Sequence, residues 1–228
     1  MAKAAATRKQ LLKEPDQFIT FSGKLIAFGR SNLKTILIVV GSLLALLLTV
    51  AVTGQISDRN EYRASELVEK AVAKYSAALA DTDANAAYDR VQTDFNDLFD
   101  QYGSKSAGKI ARIIYGDISY RAGDADTAIA MYTRALDDFG QTPALKGILL
   151  SGLGQAYVLQ EKYPEAIRYY EMLSADDEKT MKGGALFNLA WLYDAIGEQE
   201  KSTAMYQQFL AEFPDTMYAD LVKEKINS

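Results

Sequence analysis

The chain contains neither cysteine nor histidine. Without histidine it lacks the usual general base near neutral pH, the commonest metal ligand, and the Ser-His and Cys-His nucleophile pairs. The absence of cysteine suits an oxidising compartment such as the periplasm, where stray thiols are a hazard. Gly103-Ser104-Lys105 and Gly183-Gly184 read as breaks between helices, since neither follows a strand as a phosphate loop would. No catalytic, metal-binding or cofactor-binding residue is expected, and the chain is expected not to be an enzyme.

Charge is also missing from one long window, Thr35 to Ser57, TILIVVGSLLALLLTVAVTGQIS, closed by Lys34 on one side and Asp58 on the other. Its apolar middle, Ile36 to Gly54, is 19 residues, about 28 Å of helix, which matches a hydrocarbon core of about 30 Å. A transmembrane helix is the expectation. The competing reading is a cleaved signal peptide, with Ala51-Val52-Thr53 as a loose cleavage pattern. Signals carry about 7 to 15 apolar residues after a short basic start, which favours an uncleaved anchor here. Within the window Gly41 and Ala45 form a small-xxx-small pair of the kind that lets another helix approach, or that simply faces lipid.

The charge is divided around this window. Residues 1–34 hold seven Lys/Arg against Glu14 and Asp16, or +5, and the remainder holds 18 against 28, or −10. Under the positive-inside rule the basic head stays in the cytoplasm and the acidic part is exported. An acidic domain of this kind has no electrostatic case for binding nucleic acid. The 171 residues after the window suit one domain able to bury about 70% of its unfolded surface.

Residues 1–14 are basic and Ala-rich and read as a tail near anionic lipid. After Pro15, Phe18, Phe21, Leu25 and Phe28 recur at helical spacings, with Ile19 and Ile26 alongside. An interfacial helix with Lys24, Arg30 and Lys34 at phosphates fits this stripe, as does a plain lead-in to the anchor or a docking face for a membrane protein. Past the anchor, Asp58 and Glu61 have the spacing of a helix start, and Tyr62 to Ala80 and Ala84 to Tyr102 read as a helical pair. Asp81-x-Asp83-x-Asn85 has the opening of a calcium loop, but Ala86 stands where Gly is needed and Gln92 where a bidentate Glu is needed. Asp176-Asp177-Glu178 reads as a solvated loop.

Self-similarity begins near Ser106. IARIIYGDISYRAGDADTAIAMYTRAL from Ile110, ILLSGLGQAYVLQEKYPEAIRYYEML from Ile148 and ALFNLAWLYDAIGEQEKSTAMYQQFL from Ala185 align with one another. Each has a small residue in a first helix (Gly116, Gly154, Ala190) and a second small residue twelve positions on (Ala128, Ala166, Ser202). An aromatic follows four later (Tyr132, Tyr170, Tyr206), and these aromatics are 38 and 36 apart. Tyr132, Tyr169, Tyr170 and Tyr206 therefore read as packing residues, not as a platform for stacking bases.

The pattern resembles the tetratricopeptide repeat, a helix-turn-helix unit of about 34 residues. Gly123-Asp124 and Gly197-Glu198 match its turn, Tyr157 and Tyr193 its first-helix tyrosine, and Pro214 its closing proline. Arg112, Glu161 and Ser202 depart from it, standing for a bulky apolar residue, the turn Gly and Ala, and the inter-repeat loops are longer. The fold expected is all-α, one transmembrane helix followed by a solenoid of such hairpins. Its divisions are a basic tail and interfacial helix (1–34), anchor (35–57), degenerate hairpin (58–105), three repeats (106–214) and a closing helix from Met217 to Ile226 capped by Asp215 (215–228).

The resemblance further implies a concave partner-binding groove lined by the first helices: Ile113, Asp117 and Tyr120, then Ser151, Gln155 and Val158, then Phe187, Asn188, Trp191 and Asp194. Trp191, the sole Trp, fits either this groove or the core between hairpins. Asn188 matches a position that clamps a peptide backbone or carboxylate in many repeats, but the clamp's basic companions are missing. The whole arrangement resembles the membrane-anchored YfgM-type proteins of Gram-negative bacteria. That resemblance implies an inner-membrane scaffold whose periplasmic repeats bind proteins, with translocon subunits or chaperones as partners beside the lipid bilayer. An assembly scaffold for another envelope complex, in cytochrome maturation or the cell-wall machinery, is the alternative. No nucleic acid and no small-molecule substrate is expected.

Overall fold

A computed structural model of the protein describes residues 17–175 and 179–227, and every described element is a helix. The 1–14 tail and the Asp176-Asp177-Glu178 loop lie outside the described residues, as do the side chains of Phe18 and Ile19. The helices are α1 (Gln17–Ser31), α2 (Leu33–Asp81), α3 (Ala84–Tyr102), α4 (Ser106–Arg121), α5 (Ala125–Phe139), α6 (Pro143–Leu159), α7 (Tyr163–Ser174), α8 (Lys179–Ala195), α9 (Gln199–Glu212) and α10 (Ala219–Asn227). The chain divides into two units, Met1–Asp58 and Arg59–Ser228.

In the first unit α1 presents Phe21, Leu25, Ile26 and Phe28 as exposed residues. It closes at Ser31 and Asn32, whose side chains both donate back to the Phe28 carbonyl at 3.1 Å. The apolar window then runs inside α2 with Leu37, Ile38, Leu43, Leu47 and Leu48 exposed. Its hydroxyls are turned inward on the helix: Thr49 donates to the Ala45 carbonyl and Thr53 to the Thr49 carbonyl, both at 2.8 Å. This is how a polar side chain is satisfied where no water is available. α2 is long and apolar enough to cross a membrane.

The helix start expected at Asp58 does not exist, because α2 continues through it to Asp81. Glu61 acts elsewhere: its carboxylate accepts the N–H groups of Ser106 and Ala107 at 3.0 and 2.7 Å, at the N-terminus of α4. Those donors have no partner within their own helix, so the carboxylate satisfies them and complements the dipole.

The second unit is a stack of helical hairpins. Ala71, Tyr75 and Ala78 of α2 pack with Tyr88, Val91, Phe95 and Leu98 of α3 and Tyr115 of α4. Asp83, one of the acids of the calcium-like run, caps α3 by accepting the Ala86 N–H at 2.9 Å. Next, α4 pairs with α5, α6 with α7 and α8 with α9, and each pair rests on the one before it. A central core of Ala128, Tyr132, Leu149, Leu153, Tyr170 and Leu189 joins the pairs.

Small residues make this approach possible. A Cβ placed on Gly116 or on Gly152 would stand 2.8 Å from the Tyr132 ring, so that ring is held between two glycines of different helices. Gly154 lies equally close to Tyr170. The hairpin turns share one hydrogen-bond pattern. Asp124, Lys162 and Glu198 N–H groups reach back to the Ser119, Tyr157 and Tyr193 carbonyls, which puts Gly123, Glu161 and Gly197 at positive φ of 81°, 58° and 80°. This is the Schellman closure that glycine favours, and Glu161 adopts it despite its side chain.

The other departures are also accommodated. Arg112 bonds Asp138 of α5 and donates to the Gly103 carbonyl at 2.7 Å, while Lys109 reaches the same carboxylate at 2.7 Å. An ion pair between helices thus fills the place of the apolar residue. Ser202 is buried. Gly183-Gly184 is corrected from a break to part of α8; at Gly183 the missing side chain leaves room for Phe213, whose ring lies 3.3 Å from a Cβ built there. The closing helix starts at Ala219, not Met217, and Asp215 does not cap it. The chain turns through Thr216 first, whose carbonyl accepts the Ala219 N–H at 3.1 Å.

Candidate interaction surface

The ten groove residues lie on α4, α6 and α8, the first helices of the three hairpins. On α4, Ile113 and Tyr120 are half-buried against the central core, whereas Asp117 is exposed and takes the Arg121 guanidinium at 2.8 Å. On α6, Val158 leans on the same core, and the exposed Gln155 donates to the Ser151 hydroxyl at 3.2 Å. On α8, Phe187 and Asn188 are half-buried, and Trp191 and Asp194 are exposed.

Trp191 is 41% exposed and its indole lies roughly perpendicular to the ring of Tyr163, 5.9 Å away, a residue that opens α7 in the preceding hairpin. The side chain is therefore partly packed and partly accessible. Asn188 donates to the Gly184 carbonyl of its own helix at 2.8 Å. Phe187 meets Tyr206 at 5.9 Å and Phe209 at 6.0 Å, both edge to face. Phe187 and Asn188 are the two groove residues that share a cavity, of about 700 Å³, with Gly183, Gly184, Phe209, Phe213 and Tyr218. Sequence reasoning missed the last five. The closing Phe213-Pro214 and the paired glycines were the visible signals, but they pointed to a helix end and a break.

Burial shifts several titratable groups within the stack. Burial raises the phenols of Tyr115, Tyr132 and Tyr170 well above the ordinary value. Tyr193 is pushed up to about 12, first by burial and then by its hydrogen bond to Glu171, 2.7 Å long. Asp124 behaves in the opposite sense. Burial opposes its ionisation, but bonds from the Thr127 N–H at 3.0 Å and the Tyr88 hydroxyl at 2.7 Å hold its carboxyl below the usual range. These groups are tuned for packing and capping. Raised phenols are poor acid–base groups near pH 7, and among the described residues no cluster of acids is arranged to hold a metal.

Tetratricopeptide repeat families match residues 109–179 and 184–216, the segments that form α4 to α7 and α8 to α9. The chain carries tetratricopeptide repeats. No curated protein matches the chain. As tetratricopeptide units, the three hairpins belong to a class of modules that typically bind other proteins and generally lack catalytic activity of their own. α2 and α3, whose apolar side chains cluster with Tyr115, precede the matched residues.

Proposed function

We propose that the protein is a membrane-anchored interaction scaffold, single-pass in the inner membrane of a Gram-negative envelope, with its basic N-terminus cytoplasmic and its repeats periplasmic. The observation that carries this reading is the exposed apolar run of α2 in a chain that also carries tetratricopeptide repeats. The division of charge, +5 in residues 1–34 and −10 beyond them, supports the orientation. The likeness to YfgM-type proteins supports a role beside the Sec translocon and periplasmic chaperones, where a tethered surface raises the local concentration of weakly bound emerging chains.

Partner contact is assigned to the first-helix surface that includes Asp117, Gln155, Asn188 and Trp191. A photo-reactive amino acid at position 191 in cells tests this. The expected products are cross-links to translocon or chaperone subunits, and Trp191→Ala weakens capture of such a partner by about 2 kcal/mol with helicity unchanged. Cross-links only to cytochrome-maturation or cell-wall components would redirect the scaffold to those complexes. A fall of about 3 to 5 kcal/mol in stability on Trp191→Ala would make Trp191 a core residue.

A further inference from the structure

The cavity beside the last repeat differs chemically from the rest of the groove. Its walls are aromatic: Phe187 lies 6.0 Å from both Phe209 and Tyr218, and Phe209 lies 5.7 Å from Phe213. At about 700 Å³ it falls in the range of roughly 300–1,000 Å³ that accepts a compact ligand or a few side chains. The lining also contains two carboxylates, Glu212 and Asp215, and no lysine or arginine. Glu212 is engaged by Lys182 at 2.8 Å. Asp215 is exposed and has no ion pair among the described residues.

Apolar surface continues outside the cavity. Tyr218 in its wall is 51% exposed and the adjacent Met217 is 87% exposed. A segment of chain covers such a run better than a small molecule does. Gly184 also leaves open space at the wall, since a Cβ built there meets nothing within 4 Å.

We propose that this cavity takes an aromatic or leucine side chain of an extended peptide that carries a lysine or arginine beside that anchor. The aromatic walls desolvate the anchor, and Asp215 faces the cation at the rim, where opposite charge selects a partner and speeds its arrival. This rests on the reading of the repeats as a protein-binding scaffold and names the chemistry of one partner segment.

The test uses the full chain in detergent micelles and fluorescent Gly/Ser peptides that differ only in a central pair: Phe-Lys, Phe-Glu or Ala-Lys. Anisotropy should show the Phe-Lys peptide binding at least about tenfold tighter than Ala-Lys, as expected for a filled apolar pocket. It should also bind several-fold tighter than Phe-Glu, a preference that narrows in high salt. Gly184→Leu fills the open space and should remove the preference for Phe without changing the melting curve. Asp215→Asn, at an exposed position, should remove the preference for Lys and keep that for Phe.

Equal binding of the Phe-Lys and Ala-Lys peptides overturns the proposal. So does binding that survives Gly184→Leu. If that surviving binding is lost in Trp191→Ala, the scaffold reading stands and only this cavity's role falls. Self-association abolished by Gly184→Leu, with no peptide bound, would instead make a second copy of the chain the occupant and overturn the peptide assignment.

Discussion

Tyr170 and Gly154 lie in close contact in the second repeat. A Cβ on Gly154 would stand 2.7 Å from the ring, and the ring is almost fully buried. Gly154→Leu is expected to cost at least about 1 to 3 kcal/mol through overpacking, measured by thermal or urea denaturation. A melt like wild type's would mean that these helices do not meet there. Glu161 is the converse case, a side chain held at φ 58° where its sister turns have glycine. Glu161→Gly should stabilise by up to about 1 kcal/mol, the left-handed penalty less glycine's entropy in the unfolded chain. The small-plus-aromatic spacing was legible in the sequence because both partners recur at one period. The role of Gly183 was not, because it depends on Phe213, which reaches it only after α9 has turned the chain back.

Elements in this molecule are secured by contacts that local reading cannot find. Glu61 illustrates this: its spacing from Asp58 fits a capping pattern in its own segment, yet its carboxylate caps α4 through Ser106 and Ala107. The apolar window and the helix after it therefore read as separate elements, although they are one helix from Leu33 to Asp81. Glu61→Ala should lower stability by about 1 kcal/mol, the usual worth of an N-cap, and hydrogen exchange should speed up first at the start of α4. Unchanged exchange at Ser106 and Ala107 would remove Glu61 from that role. Arg112 belongs to the same class. Its departure from the repeat pattern is visible in the sequence, but its partner Asp138 emerges only when α4 and α5 lie side by side.

At the scale of the whole molecule, the tyrosines couple packing to pH. Tyr115, Tyr132, Tyr170 and Tyr193 all have raised phenol pKa values in the fold, so between the unfolded and folded values the native state binds more protons. Stability should therefore be fully present below about pH 10, where unfolded tyrosine ionises, and fall as pH rises toward the folded values. Melting curves of the full chain from neutral pH upward should show the loss together with a phenolate absorbance step. A molecule that melts unchanged beyond that range would not bury these rings.

Under the proposed function, α2 stays uncleaved in the membrane and holds the repeats on its periplasmic side. Protease treatment of spheroplasts from a Gram-negative host making the chain, followed by mass analysis of the membrane pellet, addresses it directly. The expected outcome is a full-length chain in the untreated pellet and, after protease, loss of the repeats with an N-terminal fragment that includes α2 retained. A soluble chain beginning near Thr53, or repeats that remain protected until the inner membrane is broken, would contradict it.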